Sequence, residues 1–210
     1  MTDGTTRGQV VVEAHEGRRV AVRRTTRETS VTVSLDLDGT GRAAVSSGIG
    51  FYDHLLGSLA QHGLFDLDVQ ATGDLAVDEH HTVEDVALVL GSAFATALGE
   101  RIRIARFGDS RVPMDEALAS AVIDLGGRPY AVIDLPFRAE RVGQMPLQLI
   151  EHALEAFSRT AAATLHVSGT GRNDHHLAEA AFKALGRALR VACEVDPRRV
   201  GVASTKGSLG

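Results

Sequence analysis

The stretch Asp78-Glu79-His80-His81-Thr82-Val83-Glu84-Asp85 sets two imidazoles beside a carboxylate, and the pattern returns as Asn173-Asp174-His175-His176-Leu177-Ala178-Glu179. Each copy opens a run of apolar residues at helical spacing. In the first they are Val83, Val86, Ala87, Leu90 and Phe94; in the second, Ala178, Ala181, Phe182, Leu185 and Leu189. On a helix, a step of about 100° per residue puts His80 and Glu84 on one face and turns His81 away. One such helix cannot aim both imidazoles at a single ion. His80 with Glu84 can chelate one metal and leave His81 for a second centre, and the same holds for His175, His176 and Glu179.

More than the double histidine repeats. Asp53-His54, within Phe51-Tyr52-Asp53-His54-Leu55-Leu56, precedes the first copy, and Glu151-His152, within Leu149-Ile150-Glu151-His152-Ala153-Leu154, precedes the second. Thr72-Gly73 and Thr170-Gly171 are separated by the same interval as His54 and His152. Six of the nine histidines therefore stand at matched places. A lone histidine is ordinarily a core or helix-start residue, but six matched histidines with two matched glutamates are not explained that way. We read two metal centres, each with about three imidazoles and one carboxylate, a set suited to manganese, iron, cobalt, nickel or zinc.

The elements that position these residues also come twice. Arg19 to Thr26 and Ser30 to Asp38 read as extended chain, the latter by alternation of Val31, Val33, Leu35 and Leu37 with polar residues. A short strand, a helix from Phe51 to Gln61 stopped by Gly63, a strand from Leu64 to Ala71 and a helix from His80 to Leu98 complete the first half. The second half restarts with a strand from Ala117 to Asp124 and a turn at Gly126-Gly127-Arg128-Pro129. A strand from Tyr130 to Leu135, a helix near Leu147 to Ala162, a strand from Ala163 to Ser168 and a helix from His175 to about Ala192 follow. This order predicts an α+β fold made by internal duplication, each half a mixed sheet with two helices, the helix layers packed together between the sheets. The divisions expected are a flexible arm over residues 1–18, a first half-domain over 19–100, a second over 101–200 that begins with a basic joint loop over 101–114, and a C-terminal substrate loop over 201–210.

A chain of 210 residues with net charge −5 is long enough for one shared core and is a poor match for a nucleic-acid groove. No apolar run approaches the roughly 20 residues that span a bilayer. The single cysteine, Cys193, cannot form an intrachain disulfide, and the chain opens without a basic leader and apolar stretch; both suit the cytoplasm. The tail Gly201-Val202-Ala203-Ser204-Thr205-Lys206-Gly207-Ser208, taken with Arg101, Arg103, Arg106, Arg111 and Arg128, offers donors for a phosphorylated small molecule.

Asp53-His54-Leu55-Leu56, the double-histidine motif after Gly73-Asp74, Arg106-Phe107-Gly108 and Gly127-Arg128-Pro129-Tyr130 occur in this order. The second double histidine with Phe182-Lys183-Ala184 and the closing Ser204-Thr205-Lys206-Gly207 complete the series. From about Arg19 to Ser208 the chain resembles the imidazoleglycerol-phosphate dehydratase family of histidine biosynthesis, departing from its own repeat with Ala180 where the first copy has Asp85. The resemblance implies a homo-oligomer of 24 subunits, two manganese ions per active site and metal sites assembled between subunits. It implies His54, His80, His81, Glu84, His152, His175, His176 and Glu179 as metal ligands. It implies Arg106, Arg128, Lys183, Ser204 and Lys206 as phosphate or substrate contacts beside His54 and His80, and Glu28 as an acid near the reacting carbons.

The reaction implied is loss of water from imidazoleglycerol phosphate to give imidazoleacetol phosphate. The proton removed is not next to a carbonyl, so the imidazole ring must serve as electron sink, and metal ions on its nitrogens would lower the cost of charge there. A carboxylate then takes a proton from the following carbon, with Glu179 ranked ahead of Glu28 as base. Two other readings use the same residues: a dinuclear metallohydrolase of phosphate esters, and a metal-storage or metal-stabilised assembly without turnover.

Overall fold

A computed structural model describes residues 8–209. In β3 (Thr29–Asp36) Thr29, Val31, Val33 and Leu35 are buried while their neighbours are turned outward, and in β7 (Ala117–Asp124) Ala117, Ala119, Ala121 and Ile123 are buried likewise. This period of two gives each sheet one face for a helix layer. Around β3 lie β1 (Val10–Glu16), β2 (Arg19–Thr25), β5 (Asp66–Gly73) and β4 (Ala43–Ser46), in the order β1-β2-β3-β5-β4. Around β7 lie β6 (Phe107–Met114), β11 (Thr164–Thr170) and β8 (Tyr130–Asp134), in the order β6-β7-β11-β8. Without β1 the two orders are the same, and so are the directions. Each of the first three strands is antiparallel to its neighbour, and the last, β4 or β8, runs parallel to the strand beside it. The α+β duplication expected from the sequence is the fold. A two-stranded pairing of β9 (Arg141–Val142) with β10 (Met145–Pro146) has no counterpart among the described residues of the first half.

The helices are α1 (Gly50–Gly63), α2 (His80–Leu98), α3 (Gln148–Ala161) and α4 (Asp174–Cys193), and they pair across the halves, α1 with α4 and α2 with α3. A Cβ at Gly186 of α4 would stand 2.3 Å from the Leu59 carbonyl oxygen of α1, and one at Gly91 of α2 would stand 2.6 Å from that of Phe157 in α3. Gly91 and Gly186 are separated by the same interval as Glu84 and Glu179. The repeat thus keeps a residue without a side chain where partner backbones meet, and packing there would not tolerate even a methyl group. Phe65, Phe94 and Phe157 meet edge to face, with ring centres 5.2 and 5.5 Å apart, and fill the core between the pairs.

Three sequence expectations change. Val10–Glu16 is an edge strand paired with β2, not part of an unstructured arm; its outward residues are almost all exposed, so burial gave no pattern to read, and residues 1–7 lie outside the described residues. The joint 101–114 is a loop only in its first part, because Phe107–Met114 is β6. This strand lies so close to α4 that a Cβ at Gly108 would be 2.1 Å from the Ala188 carbonyl oxygen, so glycine stands where an apolar signal would normally be. Arg101 in the joint is buried and donates to the carbonyls of Ala161, Ala162 and Leu125, closing the end of α3. Gly63 is helical, and the left-handed turn that ends α1 falls on Leu64, whose N–H reaches the Ala60 carbonyl.

Candidate metal centres

The helix pairing builds two clusters, each drawn from both halves. His54 on α1 meets His175 and Glu179 on α4: Glu179 Oε2 lies 2.9 Å from His54 Nε2 and 3.2 Å from His175 Nε2. His152 on α3 meets His80 and Glu84 on α2: Glu84 Oε1 lies 3.4 Å from His152 Nε2, and Glu84 Oε2 lies 4.0 Å from His80 Nε2. Under the repeat, His54 matches His152, His80 matches His175 and Glu84 matches Glu179, so the clusters are reciprocal. Donor atoms about 2.1 Å from an ion stand about 3.0 Å apart at adjacent positions of its shell and about 4.2 Å at opposite ones, so these separations fit a divalent ion. Nε2 of His152 is buried without a hydrogen bond, an atom left for an electrophile. Phe51 packs its ring 4.9 Å from that of His175, fixing one wall of the first cluster.

Each cluster glutamate also has a cation. Lys183, one turn along α4, places Nζ 2.8 Å from Glu179 Oε1, and Arg159 of α3 places Nη2 3.2 Å from Glu84 Oε1. Burial of Glu179 works against its charge, yet hydrogen bonds from Lys183 and His54 outweigh that and hold the carboxyl at about 2. Both of its oxygens are engaged.

The second histidine of each pair leaves the cluster, as the helical step requires. His81 donates Nδ1–H to Asp74 Oδ2 at 3.0 Å, and His176 donates Nδ1–H to Glu116 Oε2 at 2.9 Å. In both rings a proton on Nδ1 leaves the lone pair on Nε2, the tautomer that a metal requires. The pairing with Asp74 raises the pKa of His81. The pairing with His176, with backbone N–H groups of Asn173 and Arg172, holds Glu116 at about 2. Glu28 sits in the β2–β3 turn with its carboxylate half exposed, 3.9 Å from His81 Nδ1.

The other candidates lie elsewhere. Arg106 forks onto Asp124, with Nε 2.6 Å from Oδ1 and Nη2 2.9 Å from Oδ2, and Nη1 donates to the Ala203 carbonyl of the tail. Its N–H bonds the Ala192 carbonyl at the end of α4, which lies roughly 24 Å along the helix from His176 at 1.5 Å per residue. Ser204 Oγ accepts from the Lys206 N–H beside it, and Lys206 and Arg128 are exposed. Arg128 follows Gly127, whose N–H bonds the Ala162 carbonyl at the end of α3. Within one chain, these phosphate-type donors and the double histidines stand at opposite ends of the helices. A cleft of about 690 Å³ beside His80 does not replace them, because Asp78, Glu79, Glu140 and Glu151 outnumber the single Arg141 in its lining and would repel a phosphate. Asp74, Glu116 and Arg159 were not anticipated; Arg159 alone had a signal, lying two helical turns after His152 on the same face.

Two repeated α+β halves whose helices pair with one another, with an imidazole and carboxylate cluster at each pairing, define the class: a duplicated protein with paired candidate metal centres. The family model for imidazoleglycerol-phosphate dehydratase matches residues 47–189. An imidazoleglycerol-phosphate dehydratase of Methanoculleus marisnigri is 54% identical over 192 residues, covering 91% of this chain and 100% of the relative, and one of Streptomyces coelicolor is 53% identical, covering 90% and 97%. The crystal structure of the Pyrococcus furiosus enzyme in complex with (S)-C348 superposes with a TM-score of 0.77 at 35% identity, covering 89% of this chain and 99% of that one. That of the Staphylococcus aureus enzyme gives 0.75 at 32%, covering 83% and 98%. The chain belongs to the imidazoleglycerol-phosphate dehydratase family of histidine biosynthesis and is a hydro-lyase. The metallohydrolase and storage readings are thereby set aside.

Proposed function

We propose that this chain removes water from imidazoleglycerol phosphate to give imidazoleacetol phosphate, using two divalent ions per active site, manganese by the family resemblance. The observation that carries this reading is the reciprocal pair of clusters, His54-His175-Glu179 and His80-Glu84-His152. Ions held there, with His81 and His176 as further ligands, would supply Lewis acidity that lowers the cost of negative charge on the substrate's imidazole ring.

The protein's own groups then have separate tasks. We assign the base to Glu28, reversing the order expected from sequence. Its carboxylate approaches only His81, at 3.9 Å and without a hydrogen bond among the described residues, whereas Glu179 has one oxygen on Lys183 and the other between His54 and His175. Glu28 would take the proton from the carbon one bond beyond that bearing the departing hydroxyl. The hydroxyl departs from the neighbouring carbon as hydroxide, the proton removed by Glu28 balances it as water and regenerates the carboxylate, and the enol tautomerises to the ketone. Arg106, Arg128, Ser204 and Lys206 are assigned to the phosphate and Lys183 to the carboxylate beside it.

A shared site between subunits is supported by the roughly 24 Å that separates the phosphate-type donors from the double histidine of their own chain. Donors and ligands then come from different copies, in the homo-oligomer of 24 that the resemblance implies. We place this activity in the cytoplasm, with neither nucleic acid nor membrane as partner. Among the described residues no helix is long and apolar enough to cross a membrane. The test is an assay of the purified, manganese-loaded protein with imidazoleglycerol phosphate, following the ketone. Assembled, loaded protein that forms no product overturns the proposal.

A further inference from the structure

The two halves differ where their symmetry would give two equivalent acids. The β2–β3 turn carries Glu28, and the β6–β7 turn carries Glu116 at the corresponding place beside the second double histidine. Glu116 is committed to His176 at 2.9 Å. In the first half that task falls to Asp74, at the end of β5, which holds His81 at 3.0 Å; the residue following the matched glycine in the second half is Arg172, which cannot do it. Asp74, at 3.0 Å, therefore relieves Glu28 of orienting a histidine and leaves the Glu28 carboxylate only a 3.9 Å approach to His81, with no hydrogen bond among the described residues.

A carboxylate so loosely engaged on an exposed turn must still be held in place. Asp85 lies one helical turn after His81, on the face of α2 that meets the β2–β3 turn, and is buried with 7% of its surface exposed. It accepts from the buried Thr29 hydroxyl and pairs with Arg24 of β2. Thr29 Oγ1 is 3.1 Å from Thr26 Oγ1, which in turn accepts the N–H of Glu28 at 3.1 Å and of Thr29 at 2.9 Å. The chain of bonds runs without a gap from the helix of the double histidine to the backbone of Glu28. The second half has Ala180 in place of Asp85, and among the described residues it has no such chain.

We infer that Asp85, acting through Thr29 and Thr26, is a positioning residue for Glu28, and that this anchor together with Asp74 makes Glu28, and not its counterpart Glu116, the acid available for proton transfer. This rests on the assignment of Glu28 as base. A buried, paired carboxylate gives the anchor a defined geometry, since either partner left alone would be strongly penalised.

Thr29→Val removes the connecting hydroxyl at nearly constant volume without stripping Arg24 of Asp85, and Thr29→Ser restores it. In the manganese-loaded protein, Thr29→Val should speed hydrogen exchange at the Glu28 and Thr29 amides and lower kcat by up to about 100-fold, with KM and bound metal unchanged. Thr29→Ser should retain more activity, whereas Asp85→Asn, which leaves Arg24 without its counter-charge, should speed exchange at the same amides. In a Glu28→Gln background, Thr29→Val should cost nothing further, because the anchor acts only through that carboxylate. An equal loss in both backgrounds, or unchanged exchange at the turn, overturns the inference. Full turnover by Glu28→Gln alone overturns the base assignment instead, and the exchange readout still decides whether Asp85 anchors the turn.

Discussion

Nε2 of His54, in the first half of the chain, lies 2.9 Å from Oε2 of Glu179 in the second, and the reciprocal pair, His152 with Glu84, lies at 3.4 Å. Neither half can complete a centre alone. The duplication therefore couples folding of the core to assembly of the chemistry, since the helix pairs that bury the apolar surface are the ones that bring the donors together.

Glu84→Gln and Glu179→Gln should each damage one centre and spare the other. Manganese affinity at the altered centre should fall more than about tenfold, the loss that already follows removal of a ligand's supporting partner. Metal analysis across a manganese titration measures this. When both proteins are saturated, Glu179→Gln should keep more turnover than Glu28→Gln; the opposite order would return the base to Glu179.

Gly186→Ala should push α1 from α4, because the new methyl meets the Leu59 carbonyl, and Gly91→Ala should do the same to α2 and α3. We expect a loss of about 1 to 3 kcal/mol in each. The Gly186 variant should lose metal at His54-His175-Glu179, and the Gly91 variant at the other centre. Denaturant titration with metal binding checks both; lower stability with both centres intact would uncouple the glycines from the site.

Asp74→Asn and Glu116→Gln should lower metal affinity through His81 and His176, by about 10 to 100-fold, while changing thermal stability little. Calorimetric titration of manganese into the stripped variants reads the effect. Wild-type affinity in both would show that these carboxylates do not set the imidazole tautomers.

Acid should destabilise the metal-free protein in a defined window. Glu116 and Glu179 are both held at about 2 against an ordinary 4.5, and Asp66 is lowered by its bonds to Arg42 and Thr40. Groups with lowered folded values stabilise above their unfolded value, so this contribution is complete above about pH 4.5 and is lost as pH falls toward 2. Urea midpoints across that range should fall with pH, less steeply in Glu116→Gln. A flat midpoint would contradict the assignment.

The sequence made the helices and the matched histidines legible because α2 and α4 carry long apolar periodicity and because duplication turns isolated residues into pairs. It could not show β6, whose inward Gly108 leaves room for α4, or β1, an edge strand with little buried surface. The split of each double histidine followed from helical geometry alone. That Asp74 and Glu116, from unmatched places in the repeat, would each take one of the outer histidines required the tertiary fold. So did the separation between Arg106 and the clusters, which depends on the direction of α4.

The central claim is that dehydration depends on both reciprocal centres being filled. The direct measurement strips the protein with a chelator, returns manganese in steps, and follows ketone formation from imidazoleglycerol phosphate alongside bound metal. No turnover without metal, and a plateau only when both centres of each chain are filled, is the predicted result. Full turnover by the stripped protein, or no product with both centres filled, would contradict it.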